Sequence, residues 1–152
     1  MNNKERNSRK TRREAGQSLV ELAISLTVIL LLLSGAVDFG MALFSYVAIR
    51  DSAQEGALYA SLNPTDDAGI RDRVRATSTH PVDLTTFADS QIDIEIIGAA
   101  CEGTTGSDSN AVKVTVSYDY PIIMPYVGAI VGGQTIALHA EVIDTILTPR
   151  CP

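Results

Sequence analysis

The hydrophobic pattern changes once along the chain, from helical spacing to alternation, and this change divides the chain in two. From Gln17 to about Leu62 the apolar residues follow a helical pattern that no proline interrupts. Within it, residues 22–37 contain no charged side chain and are apolar on every side, as a lipid-embedded or fully buried helix must be. The pattern therefore predicts one long helix over residues 17–62, whose first half is a candidate membrane span.

The second half of this predicted helix is amphipathic. Polar side chains such as Arg50, Asp51 and Glu55 interrupt the apolar ones, and the remaining apolar positions fall near one stripe. We expect that stripe to pack on a sheet. Its members are Leu43, Tyr46, Val47, Ala57, Leu58 and Leu62.

Beyond a short helix predicted at about residues 65–76, the apolar period becomes two. The segments 91–97, 111–120 and 135–143 each alternate apolar and polar residues, which predicts half-buried antiparallel strands. The predicted fold class is therefore α+β. A long N-terminal helix, transmembrane in its first half, packs on a small three-stranded antiparallel sheet.

The segment between the second and third predicted strands, residues 121–133, is an apolar excursion. Its side chains Tyr126, Val127, Ile130 and Val131 are too apolar for an ordinary exposed loop. We expect them either to cover an edge of the sheet or to lie against a membrane.

Charge is segregated along the chain. Residues 1–16 contain six basic and two acidic side chains, and the rest of the chain contains six basic and sixteen acidic ones. A basic end before an apolar span is typical of a cytoplasmic N-terminus and an exported remainder. We therefore divide the chain into a basic leader (1–16), the helix (17–62) and a small extracytoplasmic α+β domain (63–152). Such an acidic domain is a poor partner for nucleic acid.

Both cysteines, Cys101 and Cys151, lie in the part expected to be exported, where disulfides persist. A bond between them would close a long loop and stabilise a small domain by up to about 4 kcal/mol on the chain-entropy estimate. We predict this disulfide, with two free thiols as the alternative.

Residues that carry enzyme chemistry are scarce. The two histidines, His80 and His139, lack the spacing of metal ligands, and no phosphate-binding loop or nucleophile motif occurs. Three arginines near the end of the short helix, Arg71, Arg73 and Arg75, fit either a solvated helix end or a patch for an anionic ligand. The sequence predicts no enzyme, no metal and no cofactor.

Glu21 is the most informative polar residue, because it stands alone at the edge of the apolar run. A carboxylate there costs a few kcal/mol in lipid unless it is paired. Cleavage after Gly16 would create a partner, since the new Gln17 amine would be cationic and could meet Glu21 of its own or a neighbouring subunit. The alternative is that Glu21 lies at headgroup level and favours the helix dipole.

The leader, Gly16, a small polar pair and the apolar helix resemble the class III signal of type IV pilins. More narrowly, GQSLVELAI at residues 16–24 resembles the start of the TadE-like family of tight-adherence pilus proteins. The resemblance continues through residues 37–40 and 49–57, covers about residues 12–60, and is weaker at residues 114–121. One departure is Leu22, where family members often have phenylalanine.

The resemblance implies a minor pilin or pseudopilin, held in the inner membrane and cut by prepilin peptidase. Gly16 would precede the cleaved bond, Gln17 would be the mature N-terminus, and Glu21 would be the recognition and assembly carboxylate. The implied partners are that peptidase, pilin and pseudopilin subunits, and the inner-membrane assembly platform. The C-terminal domain would be extracytoplasmic and could enter the extracellular fibre.

Two other interpretations stay open. Ordinary signal peptidase could cut after Ser34-Gly35-Ala36 and release a soluble binding domain, or the anchor could stay uncut in an envelope protein. Asp38, just beyond the apolar run, is expected either to snorkel to the outer interface or to pair with a neighbouring subunit.

Overall fold

The computed structural model describes residues 3–105 and 110–147. One long helix, two shorter helices and a three-stranded sheet make up the fold, which confirms the α+β class. Their bounds are α1 Asn3–Ala60, α2 Asp67–Ala76, β1 Ile92–Ile97, β2 Ala111–Pro121, α3 Pro125–Val131 and β3 Thr135–Thr145. Helix α1 begins before the predicted Gln17, since the basic segment contains no proline to stop it.

The sheet has the order β1-β2-β3 with both pairs antiparallel. Ile92 lies opposite Val116, and Val114 lies opposite Val142. The inward positions of β1 and β2 are buried or half-buried, whereas Asp93 and Glu95 are exposed. The alternation in the sequence therefore identified the three strands and their core faces, and β3 continues two residues beyond the prediction.

The face of α1 that packs on the sheet differs from the predicted stripe. Leu43 and Leu58, which were expected to be buried, are 53 % and 55 % exposed. Only Ala57 of the predicted stripe is fully buried; the buried face consists mainly of small residues, which let the helix backbone approach the sheet closely. These residues are Ala42, Ser45, Ala48, Ile49, Ser52, Ala53, Ala57 and Ala60.

Helix α1 and the β2–β3 hairpin pack side by side and have matching lengths. From Asp38 to Ser61 the helix rises about 34 Å, at 1.5 Å per residue. Strand β2 also spans about 34 Å, at 3.4 Å per residue. At one end the Leu147 amide donates to the Ser61 carbonyl over 3.1 Å. At the other end the β2–β3 connection contacts Asp38, so it lies toward the apolar half of α1.

The arginines of α2 bind the segment that leads into β1. Arg71 donates to the carbonyl oxygens of Asp89 and Ile92, and Arg75 donates to the Phe87 carbonyl and the Asp89 carboxylate. The hydrogen bond and positive charge of Arg75 lower the pKa of Asp89. These two arginines therefore attach α2 to the segment before β1. The sequence analysis expected either a solvated helix end or a patch for an anionic ligand, and neither expectation includes these contacts.

Gly56 marks the closest approach of α1 to α2. A Cβ at this position would lie 2.5 Å from Cγ2 of the buried Val74, whereas a Cβ at Gly40 would meet nothing within 4 Å. We expect Gly56→Ala to destabilise the detergent-solubilised protein by about 1–3 kcal/mol through overpacking. Gly40→Ala is the matched control and should be neutral or stabilising by up to about 1 kcal/mol. Equal unfolding midpoints for the two variants in denaturant would contradict the close packing.

Candidate functional site

The apolar half of α1 has no protein cover in the described chain. Its aliphatic side chains are largely exposed, Leu22 at 62 % and Leu32 at 66 % for example, and the segment Gly16–Ala60 contains the one candidate membrane span found among the described residues. The hydroxyl of Thr27 donates to the Ala23 carbonyl over 2.8 Å, so this polar group needs no outside partner. A surface of this kind needs lipid or other apolar helices around it.

Gly16, Gln17 and Glu21 lie on one uninterrupted stretch of α1, and all three residues are exposed. Gln17 and Glu21 are four residues apart and so share one face of the helix. No ion pair of Glu21 occurs among the described residues. The structure thus leaves Glu21 available to a charged group from outside the described chain.

Asp38 ends the apolar run and is buried, with only 3 % of its surface exposed. Its two carboxylate oxygens accept hydrogen bonds from the backbone amides of Ile123 (3.2 Å) and Met124 (3.1 Å). Two amide donors compensate much of the cost of burying a carboxylate. Asp38 therefore attaches the β2–β3 connection to α1 within one chain. The sequence analysis expected Asp38 to snorkel to the outer interface or to pair with a neighbouring subunit, and neither expectation includes this contact.

Tyr120 lies near Asp38, at the end of β2. Its hydroxyl is buried and makes no hydrogen bond within the described part of the chain. Burial, followed by the negative charge of Asp38, raises the pKa of Tyr120 above its usual value. Because the fold favours the neutral form of Tyr120, this group stabilises the folded chain at pH values below the tyrosine pKa of the unfolded chain. The stabilisation is lost as the pH rises from that value through the higher pKa of the folded chain.

The remaining predicted residues lie away from α1's exposed half. Cys151 is outside the described residues, so its disulfide with Cys101 stays a prediction. Cys101 lies in the loop after β1, where Asn110 accepts from the Ala99 amide and donates to the Gly103 carbonyl. Both histidines are exposed, and no cluster of metal-ligating side chains occurs over residues 3–105 and 110–147.

The fold and the exposed helix together define a class: a small α+β domain built on the second half of a helix whose first half can span a membrane. Residues 16–58 match the family model described as TadE-like protein, which confirms the family resemblance over that segment. The match suggests a protein associated with the Tad pilus and with other pilus components. No curated protein and no solved structure matches the chain.

The Asp38 contact predicts a local effect of mutation. Asp38→Ala leaves the partly buried amides of Ile123 and Met124 without acceptors, which should cost about 1–3 kcal/mol. Residue-resolved hydrogen exchange should show faster exchange at these two amides. Asp119→Ala removes an exposed carboxylate from β2 and is the control. Unchanged exchange in Asp38→Ala would show that the carboxylate does not hold the connection.

The unpartnered hydroxyl of Tyr120 predicts that Tyr120→Phe is neutral or stabilising by up to about 1.5 kcal/mol, because no hydrogen bond is lost. Denaturant unfolding at neutral pH measures this. Above pH 10.0, the ordinary tyrosine pKa, the wild-type chain should lose stability relative to the variant as unfolded Tyr120 ionises. A clear loss of stability in the variant at neutral pH would mean that the hydroxyl has a partner.

Proposed function

We propose that this protein is a pseudopilin or minor pilin-like component of tight-adherence pilus assembly. It is stored in the inner membrane through the apolar half of α1, and prepilin peptidase processes it after Gly16. The observation that supports this most is the continuity of α1: one helix passes without a break from an uncovered apolar half to a half packed on the domain. The family match begins at the proposed cleavage residue.

The apolar surface of α1 must be covered both in the membrane and in the assembly. Lipid covers its apolar surface during storage, and the apolar helices of neighbouring subunits cover it in an assembly. The large exposed side chains of the second half, such as Phe44 at 66 % and Leu58 at 55 %, extend this uncovered surface beyond the span. The chain acts through these contacts with pilin and pseudopilin subunits and the assembly platform, and catalyses nothing.

Glu21 and the amine of mature Gln17 give the assembly its register. The amine of one subunit meets the carboxylate of its neighbour in apolar surroundings, where the pair is satisfied only in the assembled state. An unpaired Glu21 is tolerated at the edge of the membrane because it lies one turn from the end of the mature helix. This arrangement favours release from lipid into a bundle.

The function is tested in the native cells by removing the chain and restoring variants of it. We expect loss of surface fibres without the protein and recovery with the wild type. Glu21→Ala should abolish recovery, since loss of one partner of a buried ion pair costs about 3–5 kcal/mol. Fibres are counted by electron microscopy, and co-purification with pilin subunits is measured in parallel.

Asp51→Ala provides the matched control, because it removes an exposed carboxylate from the same helix outside the apolar half. This variant should restore fibres as well as the wild type does. Normal fibres and normal co-purification with Glu21→Ala would contradict the pairing. Normal fibres without the protein would contradict the proposed function.

A further inference from the structure

The connection between β2 and β3, residues 122–134, is an apolar surface that the assembly role does not use. No charged side chain occurs from Tyr120 to Leu138, although the chain downstream of the leader is strongly acidic. The sequence left open whether this segment covers a sheet edge or lies against a membrane. The structure resolves part of it into helix α3, a short element that sequence analysis did not predict.

Ile122 of this connection is buried, but three of its large aliphatic side chains remain exposed. Ile123, Ile130 and Val131 are 57 %, 71 % and 60 % exposed, and both sheet neighbours of β2 are strands rather than α3. Three large aliphatic side chains exposed within nine residues are unusual for a surface in water. A partner must therefore cover them when the protein is in its working environment.

The fold places this surface beside the end of the apolar span. Asp38 accepts from the amides of Ile123 and Met124, so the connection is held at the level where the uncharged run of α1 stops. Val37 and Phe39, on either side of Asp38, are themselves 46 % and 71 % exposed. The exposed apolar residues of the connection thus begin next to exposed apolar residues at the end of the span.

The charges of the domain agree with this orientation. The charged residues that flank the connection are Asp119 on β2 and Glu141 on β3. Both lie farther from the apolar half of α1 than the connection does. Asp38 is buried and has amide donors, so its carboxylate does not need water. An uncharged surface at the end of the apolar span fits the boundary between headgroups and acyl chains.

We propose that residues 122–134 rest on the lipid bilayer while the protein is stored in the membrane. Ile123, Ile130 and Val131 enter the headgroup and acyl boundary of the outer leaflet, to a depth of about 5–10 Å. This contact fixes the height and tilt of the domain on its anchor. The inference rests on the proposed membrane storage, and it identifies a second membrane contact besides the span.

The test uses tryptophan as a depth probe, since the natural sequence contains none. Three single variants of the full chain are reconstituted in phosphatidylcholine vesicles. Ile130→Trp probes the connection, and Leu26→Trp probes the span. Ile143→Trp is the matched control, because Ile143 is also exposed (55 %) but lies near the distal end of β3. Emission is measured with brominated acyl chains and, separately, with aqueous iodide.

We expect brominated lipid to quench the Leu26→Trp and Ile130→Trp variants strongly, and iodide to quench only Ile143→Trp. If Leu26→Trp is quenched by lipid but Ile130→Trp responds to iodide as Ile143→Trp does, the connection does not rest on the bilayer. Protection of Ile130→Trp from both quenchers also overturns the inference, in favour of a contact between protein copies. Absence of lipid quenching in Leu26→Trp would instead overturn the membrane storage itself.

Discussion

The close packing of small residues on α1 against the sheet determines the rest of the structure. Ala53, Gly56 and Ala57 let the backbones approach, whereas large apolar side chains of the same helix such as Phe44 and Leu58 are exposed. Where the domain covers the inner side of the helix, its outer side therefore carries large apolar side chains beside polar ones such as Arg50 and Asp51. The uncharged half of α1 needs an apolar environment, which in the proposed function is first lipid and then neighbouring helices.

Asp38 forms the boundary between the two halves of that helix. Its carboxylate satisfies two backbone amides of the β2–β3 connection, while at the far end of the hairpin Leu147 bonds to Ser61. The domain is thus attached to α1 at both ends, over a length that the strand and the helix share.

Sequence analysis predicted the long helix, the three strands and their core faces, because alternation and helical spacing directly reflect burial. It failed for the packed stripe of α1, where Leu43 and Leu58 are as apolar as a core requires but small residues pack more closely. It also missed the contacts of Arg71, Arg75 and Asp38, because backbone carbonyls and amides leave no pattern in a sequence. The residues proposed for processing, Gly16, Gln17 and Glu21, were recognised from a local motif, and the family match covers them.

In the proposed function α1 is one unit, cut only at its basic end and kept whole thereafter. Intact-mass and N-terminal peptide analysis of the membrane-extracted protein tests this most directly. We expect a mature chain that begins at Gln17, with or without a methyl group on its amine. A chain that begins at Val37, which would indicate a released domain, or at an intact Met1, which would indicate a plain anchor, would contradict it.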